Sequence, residues 1–257
     1  MAVTNSSGVR LHHVEAGTGD PPLVFIPGWC CDHSFYAPQL EHFSARHRAI
    51  AIDPRGCGAS DKPTGPYDIP TLADDVVAFC RDAAIERPVL VGHSLGGMVA
   101  VDVASRYPSL PSAVVADDPG PLAITPESRA RFEALITALE GSDSAAVRRE
   151  YIARMFLPHD RTHQARVTDA MCSVPLPTAL AQLRGVLNWN GMGALCLLTT
   201  PTLILLSEPG GDNDASRLLA LNPSLQYGVT FGAGHFHQLE VPEQVNAMID
   251  RFLKMLR

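Results

Sequence analysis

Charge and aromatic side chains are both scarce in this 257-residue chain: 18% of residues are charged and 6% aromatic, against 46% hydrophobic. That balance permits a substantial buried core. Basic residues are the scarcer sign, 20 Lys and Arg against 27 Asp and Glu, and the net charge of −7 argues against a nucleic-acid partner. No apolar run reaches the roughly 20 residues that span a bilayer, so no membrane partner is expected. The six cysteines, Cys30, Cys31, Cys57, Cys80, Cys172 and Cys196, form no C-x-x-C pair and read as reduced structural thiols. H-E-x-x-H spacing, G-x-G-x-x-G and the P-loop are absent, so neither a metal nor a nucleotide cofactor is expected. The segment Met1 to Ser7 has no basic flank and no apolar h-region, which leads to the expectation of a cytoplasmic location. Internal repeats and low-complexity linkers are also missing.

What is present alternates. Short apolar runs at Val9 to Glu15, Leu23 to Ile26, His47 to Asp53, Pro88 to Val91, Ala113 to Ala116, Thr202 to Leu206 and Tyr227 to Phe231 read as strands. Runs of this kind are what parallel strands covered on both faces produce. Helical patterns lie between them, at Thr71 to Ala84, Leu95 to Arg106 and Pro242 to Leu256, which implies a mostly parallel, doubly wound α/β sheet of one domain. From about Pro119 to Leu198 the alternation stops and only helical periodicity remains. We expect an inserted helical cap at 119–198 over a core of 1–118 and 199–257. A cap must show its substrate some apolar surface, and Phe156 and Trp189 are the first candidates, with Cys30 and His93 as further pocket candidates.

The strand at Pro88 to Val91 runs straight into Gly92-His93-Ser94-Leu95-Gly96 and then into a helix. That is the G-x-S-x-G nucleophile elbow in its required context, a sharp turn that lifts the Ser94 hydroxyl clear of the sheet. A serine hydroxyl is a poor nucleophile at neutral pH and needs a base and an orienting acid. His235, in Gly232-Ala233-Gly234-His235 after the last strand, sits at the carboxyl end of the sheet where such sites form; His237, two residues on, is expected to shape the loop. An oxyanion hole needs two backbone N–H groups, for which Leu95 and Trp29, in the turn Pro27-Gly28-Trp29, are expected.

With the turn Asp53-Pro54-Arg55-Gly56-Cys57-Gly58-Ala59-Ser60 and the Gly234-His235-Phe236 segment, the chain resembles the α/β-hydrolase fold family over its full length. The resemblance implies an α/β-hydrolase fold, a mostly parallel eight-stranded sheet flanked by helices. Asp53 and Arg55 match a turn that organises structure in that family. The chain departs from the usual pattern in its acid. The position three residues beyond Ser207, at the end of the strand before the histidine strand, holds Gly210. Some family members instead take the acid from the end of the strand that follows the elbow helix, where Ala116-Asp117-Asp118-Pro119 stands. Asp117 is favoured as the first polar residue after the buried run; Asp212, Asp118 and Asp214 are the alternatives.

The expected activity is that of a serine hydrolase of the esterase or lactonase type, cleaving a small to medium hydrophobic carboxylic ester or lactone through an acyl-enzyme. Ser94, His235 and Asp117 form the triad, and no cofactor is used. A second resemblance, carried by Pro27-Gly28-Trp29-Cys30-Cys31-Asp32-His33, is to the cofactor-independent dioxygenases that cleave 3-hydroxy-4-quinolones. Those enzymes carry histidines where this chain has Cys31 and Leu95. A non-catalytic ligand receptor on the same fold is the third alternative.

Overall fold

In the computed structural model, which describes residues 2–4, 8–207 and 212–256, the seven apolar runs become strands and a further strand precedes them. The eight strands are β1 (Ala2–Thr4), β2 (Arg10–Ala16), β3 (Leu23–Ile26), β4 (Ala49–Ile52), β5 (Val89–His93), β6 (Ala113–Asp117), β7 (Thr202–Leu206) and β8 (Gln226–Val229). The helices are α1 (Ala37–Phe43), α2 (Ile69–Asp82), α3 (Leu95–Arg106), α4 (Pro126–Leu139), α5 (Ser144–Ala153), α6 (Arg161–Cys172), α7 (Leu176–Asn188), α8 (Gly191–Leu197), α9 (Ala215–Leu221), α10 (His237–Glu240) and α11 (Pro242–Met255). One sheet runs in the order β1-β2-β4-β3-β5-β6-β7-β8. Only β1 and β2 are antiparallel to their neighbours; β4 through β8 pair in parallel.

Strand alternation divides the core. Val24, Ile26, Leu90, Val114 and Ala116 join one apolar cluster with residues of α2 and α3, whereas Leu23, Phe25, Val89, Val91 and Val115 join another with Tyr36, Phe43, Val245, Ile249 and Phe252. The second face is closed by α1 and by α11, whose buried Val245, Ile249, Phe252 and Leu253 form a single helical stripe. Every residue of β3 to β7 is buried, as strands covered on both sides require.

Several boundaries differ from those expected. The short edge strand β1 has no signal of its own in the sequence. The last strand stops at Val229, because Phe231 leaves the ladder and exchanges hydrogen bonds with the Gln244 side chain at 2.9 and 3.0 Å. Between β6 and β7 stand the five helices α4 to α8. Of these, α8 packs against α3 and so belongs to the layer flanking the sheet. Gly210 lies outside the described residues. Among those described, no helix is long and apolar enough to cross a membrane.

Register positions the site. Ile26 pairs with Gly92, and His93 with Asp117, so the chain leaves β3 at Pro27, β5 at Ser94 and β6 at Asp118 side by side at the carboxyl edge of the sheet. That is the place where open α/β sheets bind ligands.

Candidate active site

Ser94 sits between β5 and α3 with φ +53°, a left-handed value unusual for a side-chain-bearing residue. The turn is tight enough that a methyl at Gly92 would lie 2.1 Å from the Gly96 carbonyl oxygen. Ser94 Oγ is 2.9 Å from His235 Nε2, and His235 Nδ1 is 2.6 Å from Asp118 Oδ2. The Ser207 amide donates to Asp118 Oδ1 at 3.0 Å and its hydroxyl to Oδ2 at 2.9 Å. Burial alone would raise the Asp118 carboxyl, but the hydrogen bond and charge of His235, with His237 and the Ser207 amide, hold it down at about 2. A hydroxyl, an imidazole and an ionised carboxylate thus stand in a line along which Ser94 can give up its proton.

His235 is fixed through its backbone: its N–H donates to Met155 O at 2.8 Å, and its carbonyl accepts from His93 Nε2 at 2.8 Å. His93 was expected at the pocket; it is buried beneath His235 instead. Burial first, then the neighbouring His235, brings its imidazole down to about 3, so the ring is neutral and donates from Nε2. Its Nδ1, close to Gly28, has no hydrogen-bond partner among the described residues, as the unprotonated nitrogen of that tautomer can be.

The expectation that Asp117 faces His235 is corrected. Asp117 lies on the same strand face as Val115, the face covered by Tyr36 and α11, and it pairs with His237 Nε2 at 2.6 Å. His237 Nδ1 meets Thr230 Oγ1 at 2.9 Å and the Tyr36 hydroxyl donates to Asp117 at 3.4 Å. Asp118 leaves the strand with φ +39°, and its carboxylate meets Ser207 and His235. Asp118 is thus the alternative that reaches His235, and the other two are engaged elsewhere. Asp212 pairs with Arg131, and Asp214 caps α9 by accepting from the Arg217 amide at 2.9 Å.

The His237–Asp117 pair predicts a pH dependence of stability. Burial depresses the imidazole, but Asp117, aided by Asp118 and Glu240, outweighs it, and the net shift of His237 is upward from 6.5. An imidazole raised on folding stabilises the native state while protonated: the contribution is complete below about 6.5 and is lost as pH rises through the native value. Other buried imidazoles and thiols titrate in the same window once unfolded, so the pair is read from a variant: Asp117→Asn is expected to lower the urea midpoint at pH 6 more than at pH 9. An equal drop at both pH values would rule out a charged pair.

Trp29 and Cys30 lie on the loop after β3. The Trp29 indole donates to Ala179 O at 2.9 Å, and the Cys30 amide to Gln182 Oε1 at 3.3 Å, so α7 grips this loop. Cys30 is corrected as a pocket residue: it is buried at φ +58°, its thiol accepts from Arg148 at 2.9 Å, and burial pushes that thiol far up. Trp189 is corrected too. Its indole donates to Asp102 of α3 at 2.8 Å, away from Ser94. Phe156 does border the site, stacked on Phe236 at 5.0 Å and lining the cavity that holds His235. Gln182 and Arg148 were not singled out in the sequence. For Gln182 a signal existed, since it lies on the apolar side of α7 with Ala179, Leu183 and Val186.

Two cavities meet at His235. An inner one of about 50 Å³ is lined by Ser94, Leu95, Trp29 and Met98, and an outer one of about 470 Å³ by His235, Phe156, Arg131 and Arg154. Leu95 is the first residue of α3, so its amide is among those a helix leaves unpaired. The only group of metal-ligating type among the described residues is His12, His33 and Asp53. Each imidazole places Nδ1 on a different Asp53 oxygen, at 2.9 and 2.7 Å, and the amides of His33 and Ala59 occupy the remaining lone pairs, which ties the 53–60 turn together.

A sequence model of the alpha/beta hydrolase family matches residues 23–248. The 2-(acetamidomethylene)succinate hydrolase of Mesorhizobium japonicum is 31% identical over 260 residues, covering 95% of this chain and 92% of that protein. A solved N-acyl homoserine lactone degrading enzyme superposes with a TM-score of 0.84 at 28% identity, over 98% of this chain and all of the other. The enol-lactonase of Burkholderia xenovorans LB400 superposes at 0.86 over 99% of this chain and 100% of that one, with 20% identity, a likeness of fold.

Proposed function

Since the chain belongs to the alpha/beta hydrolase family, we propose that this enzyme is a serine hydrolase that cleaves a carboxylic ester or lactone through an acyl-enzyme. The observation that carries this is the hydrogen-bonded line Ser94–His235–Asp118 opening onto a cavity. Ser94 attacks the carbonyl carbon as His235 takes its proton. The amides of Trp29 and Leu95 receive the oxyanion, and Asp118 holds His235 with its proton on Nδ1 and balances the imidazolium. His235 then protonates the leaving oxygen, the C–O bond breaks, and water activated by the same imidazole releases the acid. Helices α4 to α7 serve as the cap, and the relatives named as hydrolase and lactone-degrading enzyme support acyl transfer to water as the reaction class.

The acid at the end of β6 is also the feature shared with the dioxygenase resemblance. Against that reading, Cys31 and Leu95 are both buried apolar groups where a charged heteroaromatic would need polar partners. Hydrolysis of p-nitrophenyl acetate is expected from the wild type, with kcat/KM lower by at least ~10³-fold in Ser94→Ala. Turnover within tenfold of wild type in that variant would rule out Ser94 as nucleophile, and oxygen uptake with a hydroxyquinolone would favour the dioxygenase.

A further inference from the structure

The two cavities share His235, Tyr151, Met155 and Asp212, so they are the two ends of one cleft, and they differ in size. Ser94 lines only the inner end. Its walls there are Leu95 and Met98 from the start of α3 and Phe132, Leu183 and Val186 from α4 and α7, with Gly120 and Pro121 below. The outer end adds Arg131, Arg154 and Ser207 and is about 470 Å³ against about 50 Å³ within. A volume of about 50 Å³ accommodates roughly three to five water-sized groups.

We propose that the substrate is an open-chain ester with a short acyl part, about two to four carbons, and a large leaving group. The inference rests on the serine-hydrolase reading and narrows it. Proton transfer fixes which end holds which part. His235 Nε2, having taken the Ser94 proton, must deliver it to the leaving oxygen as the C–O bond breaks, so the leaving group extends past His235 into the outer end. The acyl carbon, bonded to Ser94 Oγ, keeps its chain at the inner end, whose small volume excludes a long chain. Water then adds to the acyl carbon, Ser94 regains its proton from His235, and a short carboxylic acid departs. The cap sets the inner limit: Phe132, Leu183 and Val186 all come from the segment between β6 and β7.

The test measures kcat/KM for p-nitrophenyl acetate, propionate, butyrate, hexanoate and octanoate, then for acetates of phenol and naphthol. The wild type is expected to turn over acetate, propionate and butyrate comparably and to lose at least ~10-fold by octanoate, since each methylene beyond the fourth carbon must displace packed side chains. Enlarging the leaving group to naphthol should change kcat/KM by less than about fivefold. Phe132→Ala, with Leu183→Ala as a second variant should the first not fold, should raise the octanoate-to-acetate ratio at least ~10-fold. Octanoate turned over as well as acetate, loss of naphthyl acetate, or an unchanged ratio in both variants overturns the proposal while leaving the serine hydrolase standing. Absence of Ser94-dependent turnover on every ester overturns both.

Discussion

Asp118→Asn is expected to lower kcat by about 10⁴-fold with little loss of fold, whereas Asp117→Asn should do the reverse. The direction follows from Ser207. Its amide donates to Asp118 Oδ1, so an asparagine at this position must keep its carbonyl oxygen there and place its amide nitrogen where Oδ2 stood. That nitrogen then donates to His235 Nδ1, which carries the proton in the wild type. The imidazole is driven to the tautomer with its proton on Nε2, facing Ser94, and can no longer accept one. Asp117→Asn leaves this line intact but removes the charge beside His237, whose side chain, like that of Asp117, is fully buried. Removing one partner of a buried pair costs about 3 kcal/mol, or about 6–12 °C in Tm for a chain of this size. Ester hydrolysis and thermal melting of both variants check the assignment. Rate loss in Asp117→Asn with a near-wild-type Asp118→Asn would return the role to Asp117.

The exchange between those two neighbours shows where the sequence ceases to be legible. The elbow, the histidine loop and the alternation of strand and helix are encoded over short spans, because each depends on local apolar period and on glycine at fixed offsets. Which of two adjacent aspartates enters the site depends on strand phase. The series Val114, Ala116 lies on the α3 side of the sheet, and 118 is its next member; Val115 and Asp117 belong to the other side. That phase was present in the sequence, but being first after an apolar run says nothing of which face a residue occupies. Pocket membership was less accessible still. Trp189 and Phe156 are equivalent as aromatic members of a helical stretch, and only the tertiary fold sets one against Asp102 and the other against Phe236. The grip of Gln182 and Arg148 on the Trp29–Cys30 loop joins residues more than a hundred positions apart, beyond any local pattern.

Gly96→Ala is expected to cost at least ~10²-fold in kcat and about 1–3 kcal/mol in stability, although helix propensity alone argues the opposite. Gly96 lies in the first turn of α3, where alanine is favoured over glycine by about 1 kcal/mol. Packing decides against it. A methyl at this position would lie 2.0 Å from the Ile26 carbonyl oxygen and 2.7 Å from that of Pro27, both backbone atoms that cannot rotate away. Relief requires the end of β3 and the start of α3 to move apart by about 1 Å, since ordinary contacts begin near 3.5 Å and some of the gap is taken up elsewhere. Those two segments lead into the two proposed oxyanion donors, Trp29 two residues after Pro27 and Leu95 at the start of the helix. One displacement therefore loosens both amides at once, and the loss of a single such donor already costs about 10²–10³ in rate. Gly65→Ala is the control, because a methyl there meets nothing within 4 Å, and its rate and urea midpoint should match the wild type. The discriminating measurement is kcat for p-nitrophenyl acetate together with the urea midpoint. A Gly96→Ala enzyme of wild-type rate and raised midpoint would mean that propensity governs this turn and that the close crossing of α3 over β3 does not set the oxyanion geometry.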